Sequence, residues 1–223
     1  MTAAEVQIPA RPASAATDPD RWYALEELAG RLVRLRPLLL EDAAGYHDAA
    51  HSAAGGEEVF RRLAMPAPAD LEEARAQVLA ALAARARGQR LAYAQLEQSS
   101  GRFIGTTSFY DIDPSLRTLA IGHTWLGRAW WRTGHNTESK LLMLSHAFDA
   151  LGAARVVWHT DILNVRSQEA IERLGAVREG VLRKHRIRPD GSWRDTVQYC
   201  MTDDDWPAAA QQLRARFRGP EGP

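Results

Sequence analysis

Thr133, Gly134, His135 and Asn136 stand between the paired indoles of Trp130 and Trp131 and a long amphipathic run that ends near Leu151. A helix that starts here leaves backbone N–H groups without partners, and the aligned peptide dipoles add partial positive charge to them. Such an end binds anions. Gly134 has no Cβ and lets a ligand approach the backbone, while Arg132, Thr133 and Thr137 add donors suited to phosphate. The turn therefore fits a pyrophosphate. The plainer reading is a strand–helix connection with Asn136 as its N-cap. Glu138 would repel an anion if it pointed inward, so it is expected to point aside. Neither G-x-x-x-x-G-K-[ST] nor a G-x-G-x-x-G after a strand occurs.

These residues need a scaffold. Residues 31–38 alternate apolar side chains with arginines and read as a strand; 41–53 and 69–87 read as helices. Three strands are expected over 90–97, 102–112 and 117–126, separated by short turns as in a meander. The helix after the Gly134 turn is expected over 136–151, with Leu141, Leu144, Ser145, Phe148 and Leu151 on one stripe and Gly152 as its stop. A strand over 154–160, a helix over 165–175 and strands over 177–188 and 193–202 complete the pattern, the last two joined by Pro189-Asp190-Gly191. Residues 117–160 form a strand–helix–strand unit long enough for a right-handed parallel crossover among antiparallel strands. The expectation is an α+β domain with a mixed sheet and helices on its faces.

The order of these elements and three motifs resemble the Gcn5-related N-acetyltransferase (GNAT) superfamily, within it the RimJ/RimL-like, ribosomal-protein alanine acetyltransferase group. The motifs are IGHTWLGRAWWRTGHNTESK, TDILNVRSQEAIERLGAVREG and LRKHRIRPDGSWRDTVQYCM, and the resemblance runs from about Arg31 to Trp206. It implies a mostly antiparallel sheet of six to seven strands, splayed between the fourth and fifth expected strands. It implies acyl transfer from acetyl-CoA to an amine, on a small molecule or a protein N-terminus, with no metal. The pyrophosphate would rest on amides from Arg132 to Thr137, including those of Thr133, Gly134, His135 and Asn136. The pantetheine arm would pair near Trp125, Leu126 and Gly127. Two positions depart from the family pattern: Trp131 stands where a polar residue is usual, and Asn136 where a very small one is. A third, Ile171, stands where many members carry a tyrosine that protonates the departing thiolate.

Direct attack of an amine on a thioester needs proximity rather than an enzyme nucleophile. Ser167 is the nearest replacement for the missing tyrosine, and Asn164 can hold a coenzyme A amide or a water. Both also suit helix capping. An amide near Leu126 would serve the oxyanion. His123, read as alternating with Ile121 and Trp125, is a candidate base or a packing residue. Glu138, His185 and Asp195 are weaker candidates, and water alone can take the proton. Trp125, Trp130, Trp131 and Trp158 read as core or as a substrate wall. RKHRIR (183–188) reads as a solvated face, with an anionic acceptor or RNA as the other reading.

The chain has 223 residues, with Lys+Arg and Asp+Glu both 28. Zero net charge argues against nucleic acid as a partner. No apolar run reaches the roughly 20 residues of a membrane span. Cytoplasmic location is the expectation, and a homodimer stays open. Cys200 has no second cysteine to pair with and reads as a small buried residue. Residues 1–20 are expected to be a disordered leader, 21–207 one domain, and 208–223 a short helix and tail. The alternatives to an enzyme are an inactive coenzyme A sensor or structural protein, and a ribosome- or RNA-associated module.

Overall fold

The structure, a computed structural model, describes residues 18–53 and 57–217. The expected leader thus falls almost wholly outside the described residues; Pro19–Tyr23 form a 3-10 turn. Strands β1 (Leu28–Ala29) and β2 (Val33–Pro37) precede helices α1 (Ala43–Ala50), α2 (Glu57–Phe60) and α3 (Leu71–Ala86). The meander is β3 (Arg90–Glu97), β4 (Phe103–Asp113) and β5 (Thr118–Leu126). Helix α4 (His135–Ser145) runs on through a π-helical turn (His146–Ala150) to β6 (Arg155–Asp161) and α5 (Val165–Glu172). The hairpin β7 (Val177–Ile187) and β8 (Trp193–Thr202) leads to α6 (Trp206–Ala215).

The strands form one sheet of eight, in the order β1-β2-β3-β4-β5-β6-β8-β7. Among the described residues only the β5–β6 pair is parallel. The eighth strand is β1, whose two residues are too few to show a period in sequence. Apolar side chains alternate to both faces, so there are two cores. One, under α4, α5 and α6, joins Tyr93, Phe109, Ile121, Met143, Leu144, Ile171 and Leu213. The other, under α1, α2 and α3, joins Tyr46, Phe60, Val78, Ala92, Phe103 and Trp125. Leu213 belongs to the first core, so α6 packs as part of the main unit.

Two irregularities shape the centre of the sheet. β5 and β6 pair only from Thr118↔Arg155 to Ala120↔Val157. Beyond that β5 stays on β4 up to Leu126, while β6 follows β8 to Asp161↔Thr196, so a gap opens between them. Within the gap-lining stretch, the β4–β5 register shifts between Thr106 and Ser108, and His123 takes φ 48°. This is a bulge, which turns the strand's alternation by one residue.

Candidate active site

Helix α4 begins at the rim of the gap. Its N-cap is Gly134 at φ 91°, a left-handed conformation in which a Cβ would also meet Leu32 Cδ1 at 3.0 Å. Asn136 is therefore inside the first turn, a change from its reading as cap: the left-handed kink at Gly134 starts the helix two residues earlier. No side chain caps this end. The first bond into the helix is Glu138 N–H to Gly134 C=O, so the amides of His135, Asn136 and Thr137 have no carbonyl inside it. Glu138 points aside, as expected: its buried carboxylate accepts from the amides of Arg31, Leu32 and Val33 at 2.7–2.9 Å, tying α4 to the β1–β2 turn. Two side chains expected at the anion are otherwise engaged. Thr133 Oγ1 donates to Trp130 C=O at 2.6 Å and lies 2.7 Å from His135 Nδ1. His135 is buried, with Nε2 3.9 Å from Glu97 Oε1. Arg132, at φ 62°, is exposed. What this end presents is mainly backbone.

Helix α5 begins across the gap. Asn164 is its N-cap, with Oδ1 accepting from Ser167 N–H at 3.1 Å. Ser167 is half-buried. Ile171 lies in the core, 7% exposed, so no hydroxyl stands at that position. Trp131 links the two helix starts. The Arg166 guanidinium lies 3.7 Å from its ring centroid, and Arg128, ion-paired with Glu58, lies 5.1 Å from it. Trp131 packs against both cores, as a side chain seated in the gap must. Trp125, Trp130 and Trp158 are core residues.

Of Trp125, Leu126 and Gly127, one turns its polar backbone to the gap. Gly127 N–H donates to Ile104 C=O on β4, and Trp125 C=O accepts from Gln95 on β3. Leu126 sits between them, so its N–H and C=O face the other way. Trp131 Nε1 donates to that carbonyl at 2.9 Å.

The bulge moves His123. It does not share a face with Ile121, which lies in the α4-side core; it stands edge-on to Tyr110, with ring centroids 5.2 Å apart, on the α1–α3 side with Trp125. Alternation failed as a guide because the bulge adds a residue. His123 keeps surface exposed to solvent, yet the protein packed around it disfavours the charged ring and, with Arg90 and Arg186 nearby, lowers its pKa to about 4. Asp195 accepts from Lys184 N–H, and His185 is exposed on β7.

Three residues escaped the sequence reading. Tyr110 lies across Gly122, where a Cβ would come within 2.7 Å of its ring. Its hydroxyl meets His159 Nδ1 at 3.0 Å, so the pair spans from β4 to β6 near the closed end of the gap. His159 Nε2 lies 3.1 Å from Gln198 Oε1, an acceptor, so Nε2 carries the proton and Tyr110 donates to Nδ1. Lys140 is buried on α4, its Nζ donating to Thr107 Oγ1 at 2.6 Å and Thr124 Oγ1 at 2.8 Å, and among the described residues no carboxylate pairs with it. Burial lowers its pKa to about 7. The signal was there: Lys140 continues the Leu144, Ala147, Leu151 stripe. Among the described residues, no three His, Cys, Asp or Glu side chains are grouped to hold a metal ion, and no helix is long and apolar enough to cross a membrane.

A mixed α+β fold whose sheet parts beside the parallel β5–β6 pair, with an uncapped helix start at the rim, is what the resemblance to the acetyltransferases implied. The family profile described as "Acetyltransferase (GNAT) domain" matches residues 32–177, and the chain belongs to that family. The chain is similar to a GCN5-related N-acetyltransferase from Brucella melitensis, with a TM-score of 0.83 and 30% identity over 89% of this chain and 87% of that one. It shares its fold with Mycobacterium smegmatis RimJ, solved in complex with CoA-disulfide (TM-score 0.71, 23% identity, 89% of this chain and 97% of that one). In sequence it is 33% identical over 98 residues to the Bacillus subtilis protein named probable N-acetyltransferase YjcK, which covers 44% of this chain. The chain spans about half the length of that curated relative, 53%.

Proposed function

We propose that this protein is a RimJ/RimL-like N-acetyltransferase that moves an acetyl group from acetyl-CoA to a primary amine, on a small molecule or a protein N-terminus, within one domain, expected over residues 21–207 and extended by α6, whose Leu213 joins the first core. The observation that carries this reading is the uncapped start of α4 at the rim of the gap. The amides from Arg132 to Thr137 hold the diphosphate; His135 and Thr133 contribute backbone, because their side chains bond each other. Leu126 offers its edge to the pantetheine arm, flanked by Trp125 and Gly127.

In the reaction the neutral amine attacks the thioester carbon; a C–N bond forms and the C–S bond breaks. The Leu126 N–H steadies the oxyanion. His123, neutral above pH 4, takes the proton from nitrogen and passes it to water. The Ser167 hydroxyl protonates the departing sulfur and regains a proton from solvent. Asn164 holds Ser167 in place by accepting the Ser167 N–H at its side-chain Oδ1.

Calorimetry with coenzyme A and mass detection of acetylated amines test the reading. Saturable binding and turnover are expected, with His123→Gln lowering kcat by about 100-fold while leaving coenzyme A affinity unchanged. Binding without turnover on any amine would favour a sensor, a reading to which the buried Ile171 lends support. No binding would end both.

A further inference from the structure

Helices α1 and α3 pack on β3 and β4; toward β6, β8 and β7 the same face of the sheet carries polar side chains. The Tyr110–His159 pair and His123 stand at the border. Arginines surround them. Arg90 is paired in register with Tyr110, and its Nε donates to Ser108 Oγ at 2.8 Å; among the described residues no carboxylate bonds it. Arg186 and Arg194 stand directly opposite each other on β7 and β8. Like charges so placed destabilise a sheet unless an anion lies between them. Arg194 Nε is moreover buried, with no acceptor among the described residues. Its neighbour Arg188 shows the contrast: Nε and Nη2 clamp Asp161 at 2.6 and 2.9 Å. The charge of Asp111 reaches Tyr110, His159 and His185, and that of Asp161, already clamped by Arg188, reaches Arg194; among the described residues neither forms an ion pair with Arg90, Arg186 or Arg194.

We propose that this arginine-lined face is the acceptor site, and that it selects an amine whose own molecule carries an anionic group, a carboxylate or a phosphate, close to the reacting nitrogen. The inference rests on the acyltransferase reading above. Guanidinium forks match the flat oxygens of carboxylate and phosphate and hold them by charge-assisted bonds. An anion held by Arg186 and Arg194 would relieve their mutual repulsion. It would also leave the attached nitrogen on the His123 side of the sheet, where the gap opens. Burial lowers Arg90 to about 10; burial, with Arg186 and Arg188 nearby, also lowers Arg194, and the charge of Asp161 does not offset it.

The test offers matched acceptors to the full chain with saturating acetyl-CoA. Each amino acid is paired with its α-amide, and phosphoserine and phosphoethanolamine are paired with serine and ethanolamine. At low salt kcat/KM is expected to favour the anionic member at least tenfold, through KM. The preference should shrink with added salt. Whether the acids or the phosphates lead decides between the two anions. Arg186→Met, a change at an exposed position, should bring the ratio toward one while coenzyme A affinity stays within twofold. Arg194→Met should do the same if it folds. Equal turnover of charged and neutral members by the unaltered protein would overturn the inference, as would an undiminished ratio in Arg186→Met. If nothing turns over, calorimetry of the same pairs against the coenzyme A complex decides: no preference for the anions sinks it. Failure to bind coenzyme A sinks instead the reading beneath it.

Discussion

Helices α4 and α5 both start at the gap between β5 and β6, and they start in opposite ways. α5 satisfies itself: Asn164 folds back onto the Ser167 amide, and the buried face carries Ile171. α4 opens on Gly134 with no side-chain cap, and its buried face carries Lys140. One end is finished by its own sequence, and the other leaves its donors for something else. Self-capping is worth about 1 kcal/mol to a helix. An end that forgoes it keeps a set of converging N–H groups available to an anion.

The contrast can be abolished outright. Gly134→Asp gives α4 a carboxylate where the diphosphate is proposed to lie. Like charges about 4 Å apart repel by roughly 4 kcal/mol near a protein surface. Coenzyme A affinity by calorimetry should fall at least about 100-fold. Gly134→Ala, strained by about 1–2 kcal/mol in the left-handed conformation, separates backbone strain from charge. If Gly134→Asp binds coenzyme A normally, the open end is not the anion site.

Lys140 sharpens the comparison on the buried side. Its folded pKa, about 7, lies below its unfolded 10.5, so between these values the unfolded chain binds the extra proton. Wild-type stability should therefore be lost as pH falls from about 10.5 to 7, and level off below. Lys140→Met removes that dependence. The melting difference between the variant and wild type should favour the variant most at or below pH 7 and shrink toward pH 10, with a pH-dependent part of roughly 3–5 kcal/mol. A pH-independent difference would mean that Lys140 stays charged in the fold.

Trp131 bridges the two starts, and its indole N–H occupies the Leu126 carbonyl. Trp131→Phe releases that carbonyl, and coenzyme A should bind up to about fivefold tighter, since a net hydrogen bond is worth about 1 kcal/mol. Weaker binding would show that the indole itself helps to hold the ligand. The smallest effect belongs to the closed end. Asn164→Ala should lower unfolding free energy by about 1 kcal/mol and change coenzyme A affinity less than threefold. A larger loss of affinity would make α5 a second binding end and erase the distinction.

Much of this was legible in the chain. The Gly134 turn, the Asn164 cap and the strands on either side are read from neighbours within a few residues, because capping and alternation are local. So is the crossover from residues 117 to 160, whose length permits a parallel pair. The sequence alone determined the mixed sheet and the order of its seven longer strands, and it singled out the turn where an anion is proposed to sit.

Tertiary structure decided the rest. The face that His123 occupies depends on a bulge, and a bulge arises from the pairing of β4 with β5 rather than from either strand. The Tyr110–His159 bond joins residues 49 apart, on strands that do not pair with each other. The opposition of Arg186 and Arg194 depends on the register of a hairpin that contains its own shift. Local rules place a residue on an element, but which groups face one another across the gap follows from strand register, where a one-residue slip reverses every side chain.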